Sequence, residues 1–151
     1  MFSQTYNFKQ FSDKIYTSGM PTKEQLLDSF NFGVQVVINL APHTGPNVLS
    51  DEKTIVDSLQ MEYVNIPVDW NSPTHNELIA FMDLMDNKDG SVIYVHCKAN
   101  FRASAFVTLY RILRQNCNIQ NALQTMSEIW DINAYPIWKE FITEYIEKKE
   151  N

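Results

Sequence analysis

Cys97 and Arg102, with only Lys98, Ala99, Asn100 and Phe101 between them, are the residues of this chain best equipped for chemistry. The run Val92 to Val95 is apolar and β-branched, as buried strands are, and it stops at His96-Cys97. A long amphipathic helix is expected to begin a few residues later. A cysteine so placed meets free backbone N–H groups and the positive end of a helix dipole, and both favour the thiolate. Arg102 falls at the rim or in the first turn of that helix. Its planar guanidinium can hold two oxygens of a phosphate at once. A nucleophile, an anion-binding loop and a fixed cation in one short segment are suited to attack on a phosphoryl group.

The elements that must position this segment are legible along the chain. Ile15-Tyr16-Thr17 reads as a short strand running into Gly19. Thr22 is then a candidate N-cap, with Gln25 completing a capping box, for a helix that ends near Phe32-Gly33. Val34 to Leu40 is too short for a helix and is expected as a buried strand. Ala41 to Leu49, with Pro42, Gly45 and Pro46, is a loop, and a helix follows from about Asp51 to Leu59. Met61 to Val68 is a third strand, closed by the turn region Asp69-Trp70-Asn71-Ser72-Pro73.

Thr74 and Glu77 form a second capping box, and Leu78, Phe81, Met82 and Met85 mark the buried face of its helix. Asp89-Gly90 turns the chain into the strand that carries Cys97. Helical periodicity recurs over Ala103 to Gln115, Ile119 to Trp130 and Ile137 to Ile146, and Glu147 to Asn151 reads as a frayed, charged tail. Strands alternating with helices predict an α/β fold: a mostly parallel sheet of about four strands, covered by helices on both faces. Ligands of such sheets bind beyond the carboxyl ends of the strands. The loops after Leu40, Val68 and His96 are therefore expected to share one rim.

With 151 residues, 44% of them hydrophobic, the chain is expected to be one domain, 1–151, with a real core. A net charge of −6 weighs against nucleic acid or an anionic membrane as partner. No stretch is long enough to cross a bilayer, and the start Met1-Phe2-Ser3-Gln4-Thr5 lacks the pattern of a signal peptide. Two cysteines, Cys97 and Cys117, match neither a disulfide framework nor zinc-site spacing, so a reduced cytoplasmic setting is expected. Cys117 reads as a small buried apolar filler. Lys98, Arg102, Arg111 and Arg114 are the one basic concentration, of which Arg111 and Arg114 read as a solvated helix face. His43 and His75 read as surface residues, and no grouping of side chains has metal-ligand spacing, so neither metal nor cofactor is expected.

Val95-His96-Cys97 followed by Arg102 resembles the active loop of the cysteine-based protein tyrosine phosphatases. Ile15 to Pro21, Val36 to Ala41 and Tyr63 to Val68 follow the order of the small bacterial members related to the dual-specificity branch. The resemblance runs from about Ile15 to the last helix. It implies a phosphocysteine on Cys97, equatorial oxygens held by Arg102, and a phosphate site lined by the backbone of Lys98, Ala99, Asn100, Phe101 and Arg102. It also implies a supporting His96 that orders the loop, and an acid from a neighbouring loop. Asp69, directly after Ile66-Pro67-Val68, fits that acid or a solvated turn residue. The substrate would be a phosphorylated protein or small molecule.

Two departures from the family pattern stand out. The family usually has five residues between cysteine and arginine and a glycine in the loop, whereas this chain has four residues there and Asn100 in place of the glycine. A shorter loop removes one amide donor and tightens the cradle. The family also carries a hydroxyl directly after the arginine; here Ala103 fills that place and Ser104, one later, could assist the thiolate or be an ordinary helix residue. The short loop also resembles that of rhodanese-like sulfurtransferases, although Val36 to Leu40 lacks the Asp-x-Arg motif associated with them. A non-catalytic phosphate-binding module would keep Arg102 and the cradle while binding rather than cleaving.

Overall fold

In a computed structural model, which describes residues 1–42 and 49–150, four short apolar runs become strands of one sheet. They are β2 (Ile15–Ser18), β3 (Val36–Asn39), β4 (Glu62–Asn65) and β5 (Ile93–His96), all parallel, as expected. A fifth strand, β1 (Lys9–Ser12), adds an antiparallel edge through a tight connection to β2. The expected four-stranded sheet is thus a five-stranded one, in the order β1-β2-β5-β3-β4. The edge strand Lys-Gln-Phe-Ser buries only Phe11, so its composition carries no strand-like apolar run.

The helices are α1 (Lys23–Phe32), α2 (Glu52–Ser58), α3 (His75–Asn87), α4 (Phe101–Leu113), α5 (Ile119–Ser127) and α6 (Pro136–Glu150). Both expected capping boxes are made: Thr22 Oγ1 accepts from Gln25 N and Thr74 Oγ1 from Glu77 N, with each acid or amide reaching back to its cap. Gly33 closes α1 at φ 119°, a left-handed backbone that favours glycine. The charged end Glu147 to Glu150, expected to fray, stays inside α6, where Lys148 pairs with Glu144 one turn back. His43 lies outside the described residues. Among the described residues no helix is long and apolar enough to cross a membrane.

Alternation along the strands divides the core between the two faces of the sheet. Val36, Ile38, Ile93 and Val95 pack with α3, α4, α5 and α6, while Val37 and Tyr94 pack with Phe2, Leu26 and Val56 on the other side. Each strand body is apolar or shielded, but the carboxyl ends form a polar row. Ser18 and Asn39 flank His96 in register, and Asn65 lies beside Asn39. That row, at the end of the central strand β5, is where the chain releases Cys97.

Candidate active site

Cys97 leaves β5 with 1% of its surface exposed and forms the floor of a cleft of about 400 Å³. Lys98, Ala99, Phe101 and Arg102 line the same cleft, joined by Trp70 from the loop after β4 and Tyr135 from the turn before α6. The passage from strand to helix takes place within Lys98, Ala99 and Asn100. Asn100 makes it possible by adopting φ 71°, ψ 7°, the left-handed region that asparagine tolerates better than most residues. Its carbonyl accepts from Ser104 N at 3.1 Å and so begins α4. The first amides of α4 have no partner within the helix and a positive dipole behind them, which favours an anion at this end.

Arg102 is the second residue of α4 and is 8% exposed. Its Nη1 donates to the Val68 carbonyl at 2.8 Å, which fixes the guanidinium against the loop after β4. Among the described residues no other acceptor takes a hydrogen bond from its five-donor fork. Lys98 is exposed at the cleft. Arg114 instead pairs with Asp83 and Asp86 of α3, and Arg111 lies over the Phe11 ring. Cys117 is half-exposed beyond the end of α4, not a buried filler, because the chain leaves the core there to reach α5.

His96 is fully buried, and its Nε2 pairs with the carboxylate of Glu52, itself 2% exposed. The other ring nitrogen, Nδ1, stands 3.4 Å from the Cys97 carbonyl oxygen. Glu52 Oε1 accepts from Asn39 Nδ2 at 3.3 Å, and the same amide donates to Tyr63 Oη at 3.1 Å. Burial, with the Glu52 charge adding to it, pushes the Tyr63 hydroxyl up to about 12. Sequence reasoning missed Glu52: it starts a helix far along the chain from His96, and no local pattern announces a buried carboxylate.

Asp69 is exposed, and its Oδ1 accepts from Asn71 N at 2.8 Å in a tight turn. It lies between Val68, the partner of Arg102, and Trp70, which lines the cleft. Ser104 is fully buried; its hydroxyl donates to the Phe101 carbonyl at 3.1 Å and accepts from Trp130 Nε1 at 2.9 Å. The second bond ties the first turn of α4 to a cluster of aromatic rings that the sequence did not announce. Phe101 stacks on Trp130 at 4.6 Å between centroids, and Trp70 stacks on Trp138 at 5.5 Å. Tyr135 meets Trp70 edge-on at 5.4 Å. The only sequence signal was the density of aromatic residues in the turns around Trp70, Trp130 and Tyr135.

Comparison with known proteins places these features in context. The family model described as a DSP-PTPase phosphatase fused to NAD+ kinase matches residues 4–135. No curated protein matches the chain. Among solved structures, a DUF442 protein from Shewanella putrefaciens CN-32, provisionally named a phosphatase, is 38% identical with a TM-score of 0.87, covering 95% of this chain and 91% of that one. The core catalytic domain of the PP-IP phosphatase SIW14 from S. cerevisiae shares the fold at 17% identity and a TM-score of 0.76, covering 93% of this chain and 86% of that one. TpbA of P. aeruginosa shares it at 17% identity and a TM-score of 0.75, with coverages of 92% and 84%.

Proposed function

The chain belongs to the DSP-PTPase-like family of cysteine phosphatases, and on that premise we propose that it hydrolyses phosphomonoesters through a phosphocysteine on Cys97. The observation that carries this reading is the shared cleft of Cys97 and Arg102 at the head of α4, with the guanidinium held in place by the Val68 carbonyl.

In the first step the Cys97 thiolate attacks phosphorus, an S–P bond forms and the ester P–O bond breaks. The leaving oxygen takes a proton from Asp69. Arg102 and the amides of Lys98 to Arg102 hold the equatorial oxygens, over which the charge of the transferring phosphoryl group is spread. In the second step water attacks phosphorus, Asp69 accepts the proton, and the S–P bond breaks to return the thiolate and release inorganic phosphate. Asp69 Oδ1 accepts from the Asn71 amide, which leaves Oδ2 to carry the proton for the leaving group. Ser104 acts through position, holding the first turn of α4 against Trp130. TpbA has been solved with phosphotyrosine bound, and the Trp70, Phe101 and Tyr135 lining supports an aryl phosphoester, phosphotyrosine among them, for this cleft too. Residues 1–151 act as one domain in this scheme. A thiolate nucleophile and two free cysteines suit the reducing cytoplasm.

The test is hydrolysis of an aryl phosphate by the wild type and Cys97→Ser, with sulfur transfer from thiosulfate to cyanide run alongside. Hydrolysis is expected in the wild type and absent in Cys97→Ser. Sulfur transfer without hydrolysis would assign the short loop to persulfide chemistry, and oxyanion binding without either would assign it to a binding module. In the same series, Asp69→Asn is expected to slow alkyl phosphates by about 100-fold, and p-nitrophenyl phosphate far less, because a good leaving group needs little protonation.

A further inference from the structure

Three carbonyls of the loop face its protein side, each toward a different part of the chain. His96 Nδ1 faces the Cys97 carbonyl, Met20 N donates to the Lys98 carbonyl at 3.1 Å, and Asn7 Nδ2 donates to the Ala99 carbonyl at 3.0 Å. A trans peptide is planar, so the carbonyl of one residue and the N–H of the next point in opposite directions. No cis peptide occurs among the described residues. With these three carbonyls facing the protein side, the N–H groups of Lys98, Ala99 and Asn100 point the other way.

Asn7 stands out among the three because it is clasped in return. Asn100 Nδ2 donates to the Asn7 carbonyl at 2.7 Å and to Thr17 Oγ1 at 2.8 Å. Both acceptors are oxygens, which fixes the amide orientation: the flipped amide would set oxygen against the Asn7 carbonyl. Asn7 itself has φ 53°, so both members of the clasp are asparagines in the left-handed region. The segment that carries Asn7 is anchored on both sides. Phe2 and Thr5 are buried before it, Gly19 N donates to the Tyr6 carbonyl at 2.7 Å, and β1 follows. A Cβ at Gly19 would come within 2.7 Å of both the Lys98 carbonyl oxygen and Tyr6 Cδ2, so only glycine fits between the loop backbone and the Tyr6 ring.

We propose that Asn7 is a positioning residue of the phosphate site, clasping Asn100 so that the shortened Cys97–Arg102 loop keeps its amides turned toward the anion. This rests on the reading of that loop as a phosphate cradle. The clasp supplies from outside the loop what a longer, glycine-containing loop would supply by its own conformation. It also makes Asn7, before β1, part of the site.

The experiment titrates tungstate, a tetrahedral dianion that is not hydrolysed, into the full chain and follows binding by calorimetry. The variants are Asn7→Gly and Asn7→Asp, both of which tolerate the left-handed backbone but neither of which can donate to Ala99, together with Asn100→Gly and the Asn7→Gly/Asn100→Gly pair. Asn7→Gly is expected to weaken tungstate about tenfold, the size of one lost hydrogen bond, and to lower kcat/KM for an aryl phosphate by the same factor. Far-UV circular dichroism is expected to stay unchanged. Adding Asn100→Gly to Asn7→Gly should cost much less than Asn100→Gly alone, as for two residues of one clasp. Tungstate affinity within twofold of wild type in both Asn7 variants would overturn the proposal, as would additive losses in the pair or no tungstate binding by the wild type. Should the wild type bind tungstate and lose it in Asn7→Gly, yet hydrolyse nothing, Asn7 keeps its role and the phosphatase reading falls.

Discussion

The two flanks of the Cys97 loop are built from opposite materials. On one side stand hydrogen-bonding groups: Asn7 with Asn100, and His96 with Glu52 and Asn39. On the other stand rings: Trp70, Phe101, Trp130, Tyr135 and Trp138, in mutual contact at 4.6 to 6.3 Å between centroids. Hydrogen bonds are directional, so the polar flank can hold individual peptide groups in one orientation. Ring packing is large in area and tolerant in angle, so the aromatic flank gives the cleft its wall and its stability. Under the proposed function, the contrast assigns the anion to the polar flank and the leaving group to the aromatic one.

Substitutions can break or sharpen this division. The largest effect is expected from Trp138→Ala. Trp138 is 1% exposed, and its Nε1 donates to the Trp70 carbonyl at 2.8 Å. Its removal should cost about 4 kcal/mol in urea denaturation, from lost burial and the cavity left behind. Tungstate affinity of the folded fraction should nonetheless stay within about threefold of wild type, since the loss of tenfold marks a broken hydrogen bond. A parallel collapse of affinity would show that the flanks are not separable.

Glu52→Ala comes next, at about 3 kcal/mol, because it removes the buried partner of His96 Nε2 and one acceptor of the Asn39 amide together. Here oxyanion affinity should fall as well. Glu52→Gln, which can accept from Asn39 and donate to His96, should recover most of both.

The smallest effect concerns alkaline pH. The Tyr63 hydroxyl sits near 12 in the folded chain against an ordinary 10.0, raised first by burial and then by Glu52. The folded state thus keeps a proton that the unfolded chain gives up. Its contribution is whole below pH 10 and is lost as pH rises through about 12. Between those limits the stability of Tyr63→Phe should fall less steeply with pH than that of the wild type, as read by urea midpoints.

Much of the fold was open to inspection before any coordinates. Thr22 with Gln25, Thr74 with Glu77 and Gly33 are local devices, in which a side chain or a backbone angle serves residues three or four positions away. The parallel strands showed as apolar runs for the same reason. β1 did not show, because an edge strand needs few buried side chains, and the end of α6 did not, because exposed charges look alike in a helix and in a tail. Of the site, Cys97, Arg102 and the loop between them were visible as one segment. Glu52, Asn7 and the ring cluster were not, since each acts on a partner far away in the chain.

By itself, then, the order of residues determined where the strand ends, that a thiol and a guanidinium lie on either side of a four-residue turn, and that a helix begins there. These are short-range consequences of side-chain type and backbone preference. Only the tertiary structure decided which donors pin the loop carbonyls, which carboxylate holds His96, that Val68 anchors Arg102, and which rings wall the cleft. Such partners are brought together by the register of the sheet and the packing of helices on it. Neither leaves a periodic trace in the residues that meet.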